Sequence, residues 1–280
     1  MFWAVHKLGG AISPANPAYG PSELSYQLKD SGSIALVTSS KLLHTALKAI
    51  DGVPAISKNR IYLIDGENHA TQKTVEQLIQ AGRKILDPLR PLKLHKGEAR
   101  QRLAFVSYSS GTTGLPKGVM ISHYNVMSNV LQLALHGKEF DDKKRDMTAC
   151  LLPLYHIYGI SSNHLHALSY VVGLVYVLHT ELYLGNTCVI IPAFEFSSFL
   201  SYIEKYRITK LFLVPPIVVR LVKDPLTQKY DLSTLEQITC GAAPLGADVM
   251  QALRAKFRGI IFKQGMNRFS STISRSLRDD

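Results

Sequence analysis

The chain has 280 residues, 46% of them hydrophobic, and a formal net charge of +11. That length supports a full-sized core, in one large domain or two small ones. Its three cysteines (Cys150, Cys188 and Cys240) lie far apart with no C-x-x-C pair, which argues against a disulfide framework or a zinc site and fits a reducing compartment.

Taken in chain order, Gly20-Pro21-Ser22-Glu23 predicts a helix start, with Leu24 and Leu28 on the apolar face and Gly32 ending it. The apolar run 34–37 predicts a short strand. Leu42, Leu43, Ala46, Leu47 and Ile50 recur with a helical period and predict the next helix. Residues 61–64 predict another strand, and Val75, Leu78 and Ile79 a helix ending near Gly82. Over 85–102 proline and charge replace periodic apolar residues, marking a loop and a soft division. Further on, Met127, Val130, Leu131 and Ala134 line one helical face, and Phe196, Phe199, Leu200 and Ile203 another. Residues 211–214 predict a strand stopped by Pro215-Pro216, and Val249, Leu253 and Phe257 a last helix. Alternation of this kind predicts an α/β fold with largely parallel, buried strands.

The positive charge gathers in two stretches, 83–102 and 254–278. Neither carries a recognition motif or interleaved stacking aromatics, so no nucleic-acid partner is expected. The uncharged run 167–178 is far shorter than the roughly 20 residues a spanning helix needs, so a membrane partner is not expected either. No signal peptide opens the chain and LRDD at its end is no peroxisomal or retention signal, which together predict a cytoplasmic protein.

The most informative string is YSSGTTGLPKGV at 108–119, set between the apolar runs 103–106 and 119–121. Glycines let the backbone turn tightly and approach a ligand. Ser109, Ser110, Thr112 and Thr113 offer hydroxyl donors, successive backbone amides can form an anion nest, and Lys117 adds a full positive charge. The sum is a phosphate cradle; the bland alternative is a solvated turn between two strands. It is not the P-loop, because Lys117 precedes Gly118 and no Ser or Thr follows to hold magnesium.

The ordered string SSGTTGLPKG closely resembles the signature loop of the AMP-forming adenylate ligases. FWAVHKLGGAISPANPAYGPSEL at the start, LPLYHIYG at 152–159, VPPIVVRLVKDP at 214–225 and CGAAPLG at 240–246 are similar to segments of the 4-coumarate–CoA ligase-like branch, with a fungal character. The resemblance implies a partial N-terminal domain of the acyl-adenylate-forming ligase fold over 1–265, mostly parallel sheets flanked by helices, without the small C-terminal domain. It also implies an insertion at 160–173 and an aberrant tail at 266–280, which is basic, serine-rich and expected to be disordered.

The implied reaction joins a carboxylic acid (an aryl-propenoic or fatty acid) to coenzyme A through an acyl-adenylate, using ATP and Mg2+. By the same resemblance, Ser109, Ser110, Gly111, Thr112, Thr113, Gly114 and Lys117 hold the β- and γ-phosphates, with Thr113 and Lys117 in catalytic roles. His156 and Tyr158 border the acyl pocket. Gly241, Ala242, Ala243 and Pro244 lie against the adenine, and Gln264 and Gly265 begin the nucleotide-binding strand. No metal ligand is assigned. Two departures bear on activity. MNRF follows Gly265 where the family has YGMTE, and Ala193 stands where relatives often carry a lysine that meets coenzyme A. The chain alone is therefore expected to make no acyl-CoA. The alternative is a non-enzymatic, degenerate relative that binds nucleotide or a partner only.

Overall fold

In the computed structural model, which describes residues 1–66, 71–85, 89–110, 115–137, 145–151, 158–159, 172–191, 193–240, 245–264 and 275–276, helices and strands alternate as the sequence predicts. Helix α1 (Phe2–Lys7) is followed by α2 (Pro21–Asp30), β1 (Leu36–Thr38), α3 (Leu43–Ile50), β2 (Ile61–Leu63), β3 (Lys73–Thr74) and α4 (Val75–Arg83). Strands β1, β2 and β3 form a small parallel sheet. The predicted strand 34–37 is shifted toward the C-terminus. Pairing of Leu36, Val37 and Thr38 with Ile61, Tyr62 and Leu63 sets its bounds and leaves Ile34 exposed.

Local chemistry explains the helix starts. Pro21 occupies the first turn of α2, and the Glu23 carboxylate accepts the Gly20 N–H at 2.9 Å. At α4 the Thr74 hydroxyl accepts from the Gln77 N–H at 3.1 Å, while the Gln77 amide oxygen accepts from the Thr74 N–H at 2.9 Å.

A hairpin follows, made of β4 (Leu103–Ser110) and β5 (Lys117–Ser122), and leads into α5 (His123–Gly137). The predicted face of α5 is only half right. Val126, Val130 and Ala134 are buried, whereas Met127 and Leu131 are exposed. Ser122 and Asn125 exchange bonds at the start of the helix (Ser122 N–H to Asn125 Oδ1 at 3.0 Å, Asn125 N–H to Ser122 Oγ at 3.2 Å), and this cap sets its rotation.

The central sheet is all parallel. It contains β6 (Met147–Cys150), β8 (Thr187–Ile190), β9 (Lys210–Leu213), β10 (Gln237–Cys240) and β11 (Ile261–Gln264), in the order β11-β10-β9-β6-β8. Helices α6 (Phe196–Tyr206), α7 (Pro215–Lys223) and α8 (Ala247–Lys256) accompany it. Pro215-Pro216 both stop β9 and open α7, where a missing N–H costs nothing. All four predicted apolar residues of α6 are buried against Leu211 and Leu213 of β9 and Val218 and Leu221 of α7. Full burial of each such side chain stabilises by roughly 1.5–3 kcal/mol, so this cluster anchors the domain.

Strand β7 (Tyr158–Gly159) and β12 (Arg275–Ser276) complete a mixed sheet of order β12-β5-β4-β7. Within the tail, Arg275 and Ser276 pair antiparallel with Met120 and Val119. Backbone groups along the outer side of β5 would otherwise lack ladder partners, which is the physical reason for this pairing. The rest of the tail and most of the proposed insertion, 160–171, lie outside the described residues. A π-helical stretch, Val172–Glu181, follows and buries Val177, Thr180 and Glu181. The buried Glu181 carboxylate accepts from Thr148 Oγ1 at 2.7 Å and Asn186 Nδ2 at 2.8 Å. Among the described residues no helix is long and apolar enough to cross a membrane.

Candidate functional site

The glycine-and-hydroxyl loop joins the open ends of β4 and β5. Ser109 pairs with Lys117 and Tyr108 with Gly118, so the register brings the first serine of the motif opposite its lysine. On the other side of β4, Tyr158 pairs with Ser109 and Gly159 with Ser110. Three predicted site residues, Lys117, Ser109 and Tyr158, thus lie in one row across three strands. Lys117 is exposed, and among the described residues no carboxylate pairs with it. Gly111, Thr112, Thr113 and Gly114, at the tip, lie outside the described residues.

The base of the loop is held by groups that the sequence did not single out. The Tyr26 hydroxyl on α2 donates to the Pro116 carbonyl at 3.0 Å, one residue before Lys117. One turn further along α2, the Asp30 carboxylate accepts from the Tyr108 hydroxyl at 2.6 Å. The two tyrosine rings meet edge to face at 6.4 Å. Burial, and then the Asp30 carboxylate, hold the Tyr108 phenol well above its ordinary pKa, so it remains a neutral donor. Gly118 lies directly over this ring: a Cβ there would sit 3.0 Å from Tyr108 Cζ and 3.1 Å from its hydroxyl oxygen. The glycine at 118 therefore serves close packing beneath the loop.

The second half of the site lies at the carboxyl edge of the central sheet. In open α/β sheets, ligands bind outside the carboxyl ends of the strands, where the strand order reverses. Here the chain passes from β6 to β8 on one side and then to β9 on the other, so the reversal flanks β6. Each predicted motif leaves this edge. Residues 152–157, with His156, follow β6; Gly241, Ala242, Ala243 and Pro244 follow Cys240 of β10; Gln264 ends β11, in register with Cys240, and Gly265 follows it. His156, the four residues 241–244 and Gly265 lie outside the described residues, so only their points of departure are fixed. The segment after β6 ends in β7, beside Ser109, and so links the sheet edge to the β4–β5 hairpin.

Among the described residues no group of three or more His, Cys, Asp or Glu side chains could hold a metal ion. Burial raises the thiols of Cys150 and Cys188 to about 11 and that of Cys240 to about 12, which keeps them protonated and unreactive. Ala193 is exposed just after β8. What the described arrangement offers chemically is one ammonium and a row of strand ends facing a common side, a fit for an anionic ligand with an extended body.

Comparison with known proteins shows the family and the fold. The family model described as AMP-binding enzyme matches residues 1–267. A probable 4-coumarate–CoA ligase 3 from Dictyostelium discoideum is 31% identical over 281 aligned positions, covering 95% of this chain and 47% of that protein. The 4-coumarate–CoA ligase 3 of Arabidopsis thaliana is 31% identical, with 99% and 45% covered. Among solved structures, ATP-bound MatB from Rhodopseudomonas palustris superposes with a TM-score of 0.71 at 25% identity, covering 98% of this chain and 48% of that one. The chain thus spans about half the length of the proteins it matches. Its fold is that of the N-terminal domain of adenylate-forming ligases.

Proposed function

Because this chain belongs to the AMP-binding enzyme family, we propose that it forms the nucleotide-gripping part of an AMP-forming acid–CoA ligase. The observation that carries the proposal is the row Lys117–Ser109–Tyr158, continuous through residues 152–157 with the carboxyl edge of the central sheet. In the reaction of the whole protein, a carboxylate oxygen attacks the α-phosphorus of ATP, the bond to pyrophosphate breaks, and an acyl-adenylate forms. The sulfur of coenzyme A then attacks the acyl carbon and AMP leaves. Both first reactants are anions, so the site must offset negative charge as it builds.

In this proposal Lys117 and the hydroxyls and amides of 109–114 hold the β- and γ-phosphates, with Thr113 donating at the transferring end. Gly241, Ala242, Ala243 and Pro244 present a flat wall to the adenine, and His156 and Tyr158 border the acid. The names of the relatives favour an aryl-propenoic acid, and a fatty acid is the other candidate. Magnesium, where bound, would screen the triphosphate; the described residues assign it no ligand. A second reading rests on Met266 and Asn267, which stand where the family carries its tyrosine–glycine–methionine–threonine–glutamate run. It makes this chain a nucleotide binder without ligase activity.

The test is thermal stabilisation of the purified chain by ATP with magnesium. A rise in Tm that Lys117→Ala reduces by the equivalent of about 10- to 100-fold in affinity supports the proposal, as expected for loss of charge-assisted bonds worth roughly 1.5–3 kcal/mol. No rise in the parent protein overturns it. ATP–pyrophosphate exchange by the chain on any aryl or fatty acid would rule out the second reading, whereas a rise without exchange is expected of both.

A further inference from the structure

We propose that the outward face of α1, together with the adjoining segment 89–96, is a docking surface for an anionic lipid bilayer. Helix α1 turns Phe2 and His6 inward. Phe2 meets Phe105 edge to face at 6.0 Å, and His6 Nε2 lies 3.0 Å from the Ala104 carbonyl oxygen. A helix has one inward stripe, so Trp3, Lys7 and Leu8 are left facing out. Trp3 is 47% exposed and Leu8 65% exposed.

Segment 89–96 runs beside this helix. The Leu92 N–H donates to the Lys7 carbonyl at 2.8 Å, and a Cβ placed on Gly9 would lie 2.9 Å from Leu92 Cδ2. Its sequence, LRPLKLHK, alternates leucine with cationic residues and contains no acid. Leu89 is 74% exposed. Arg90, Lys93 and Lys96 are exposed as well, and among the described residues none of them forms an ion pair. Past the helix, the His179 ring packs 6.0 Å from that of Trp3, and Leu182 and Tyr183, a few residues further along the chain, are exposed as well.

The composition of this face selects the occupant. A protein partner fits poorly, because interface cores are depleted of lysine. A nucleic acid fits poorly, because the cations are interleaved with leucines rather than with stacking aromatics. A bilayer surface takes both components at once. Leucine and tryptophan tips enter the boundary between headgroups and acyl chains, while lysine and arginine heads remain at the phosphate level. One apolar signal gives only marginal, reversible membrane binding, and adding a basic patch supplies the second signal that stable attachment needs. The length and charge of individual segments rule out a spanning helix among the described residues, and this mode of attachment requires none.

Trp3 is the sole tryptophan of the chain, so its emission reports directly on this face. The experiment mixes the folded chain with vesicles of phosphatidylcholine alone and of phosphatidylcholine with phosphatidylserine, and records Trp3 emission and co-sedimentation. The expected result is a shift to shorter wavelength and sedimentation with the anionic vesicles only, both reversed by raised salt. Each cation near an anionic surface is worth about five-fold in affinity, so Arg90→Glu with Lys93→Glu and Lys96→Glu should cost on the order of 100-fold or more. Leu89→Ser should weaken binding while leaving its salt dependence in place. Absence of association by the folded parent chain overturns the proposal, as does equal association with neutral vesicles. A concentration-dependent Trp3 shift without lipid, accompanied by dimers in sedimentation, also overturns it and assigns the face to a second copy. Should the triple variant fail to fold, the salt reversal measured on the parent chain decides the matter alone.

Discussion

The hydroxyl of Tyr108 and the carboxylate of Asp30, 2.6 Å apart, tie strand β4 of the β4–β5 hairpin to the end of α2. With the Tyr26–Pro116 bond, this contact makes α2 the brace of the loop. Replacing Tyr108 by Phe leaves the carboxylate of the exposed Asp30 without the donor that the buried Tyr108 supplies. The expected loss is about 1.5–3 kcal/mol in urea unfolding, the range for a hydrogen bond to a charged group. Tyr26→Phe should cost less, about 1 kcal/mol, because its acceptor is a neutral carbonyl.

Gly118→Ala tests the packing under the loop. The new methyl would press on a Tyr108 ring that Asp30 and Tyr26 hold in place. Overpacking of this kind costs typically 1–3 kcal/mol. The double variant Gly118→Ala with Tyr108→Leu should recover part of that loss. Additive losses in denaturant titration would show that the ring is not the obstacle.

A cluster of histidines predicts how stability depends on pH. The rings of His6 and His123 lie 4.9 Å apart. Burial lowers the pKa of His6 from 6.5, aided by His123 and His179 and partly opposed by the bond to Ala104. Burial and then Arg102 lower that of His123. Below 6.5 the unfolded chain takes up protons that the folded chain refuses. The stabilisation is therefore complete above pH 6.5 and is lost progressively as pH falls from there through the folded values. The urea midpoint should drop between pH 7.5 and pH 5.5, and less steeply in His6→Asn.

Thiol chemistry provides an independent check on burial. With the thiol of Cys240 raised to about 12, reaction with an aromatic disulfide at pH 8 should be slower than in the urea-unfolded chain by about 100-fold or more. A native rate close to the unfolded one would mean that the end of β10 is open to solvent.

Much of this architecture was legible in the sequence, and the failures have physical causes. Helix α6 showed itself because four bulky apolar residues recur with one period and all four are buried. Helix α5 was misread by half, because its rotation is set by the Ser122–Asn125 cap while Met127 and Leu131 remain outside the core. Helix α1 and strands such as β8 and β11 are too short for periodicity to register. Of the candidate site, Lys117, Ser109 and Tyr158 stand out in the motifs, and the strand register sets them in one row. Tyr26, Asp30 and Tyr108 act through contacts across long stretches of chain, which no local pattern encodes.

The pairings around the site also imply an order of assembly. Strands β4 and β5 are neighbours in the chain and close a short loop, an event of the microsecond kind. Strand β6 must wait for β8 and β9, and β10 for β9 and β11, each reached only after a helical crossover. During folding, then, the β4–β5 hairpin forms ahead of the carboxyl edge of the central sheet. A nascent chain emerging from the ribosome would present that hairpin well before it could enclose a ligand.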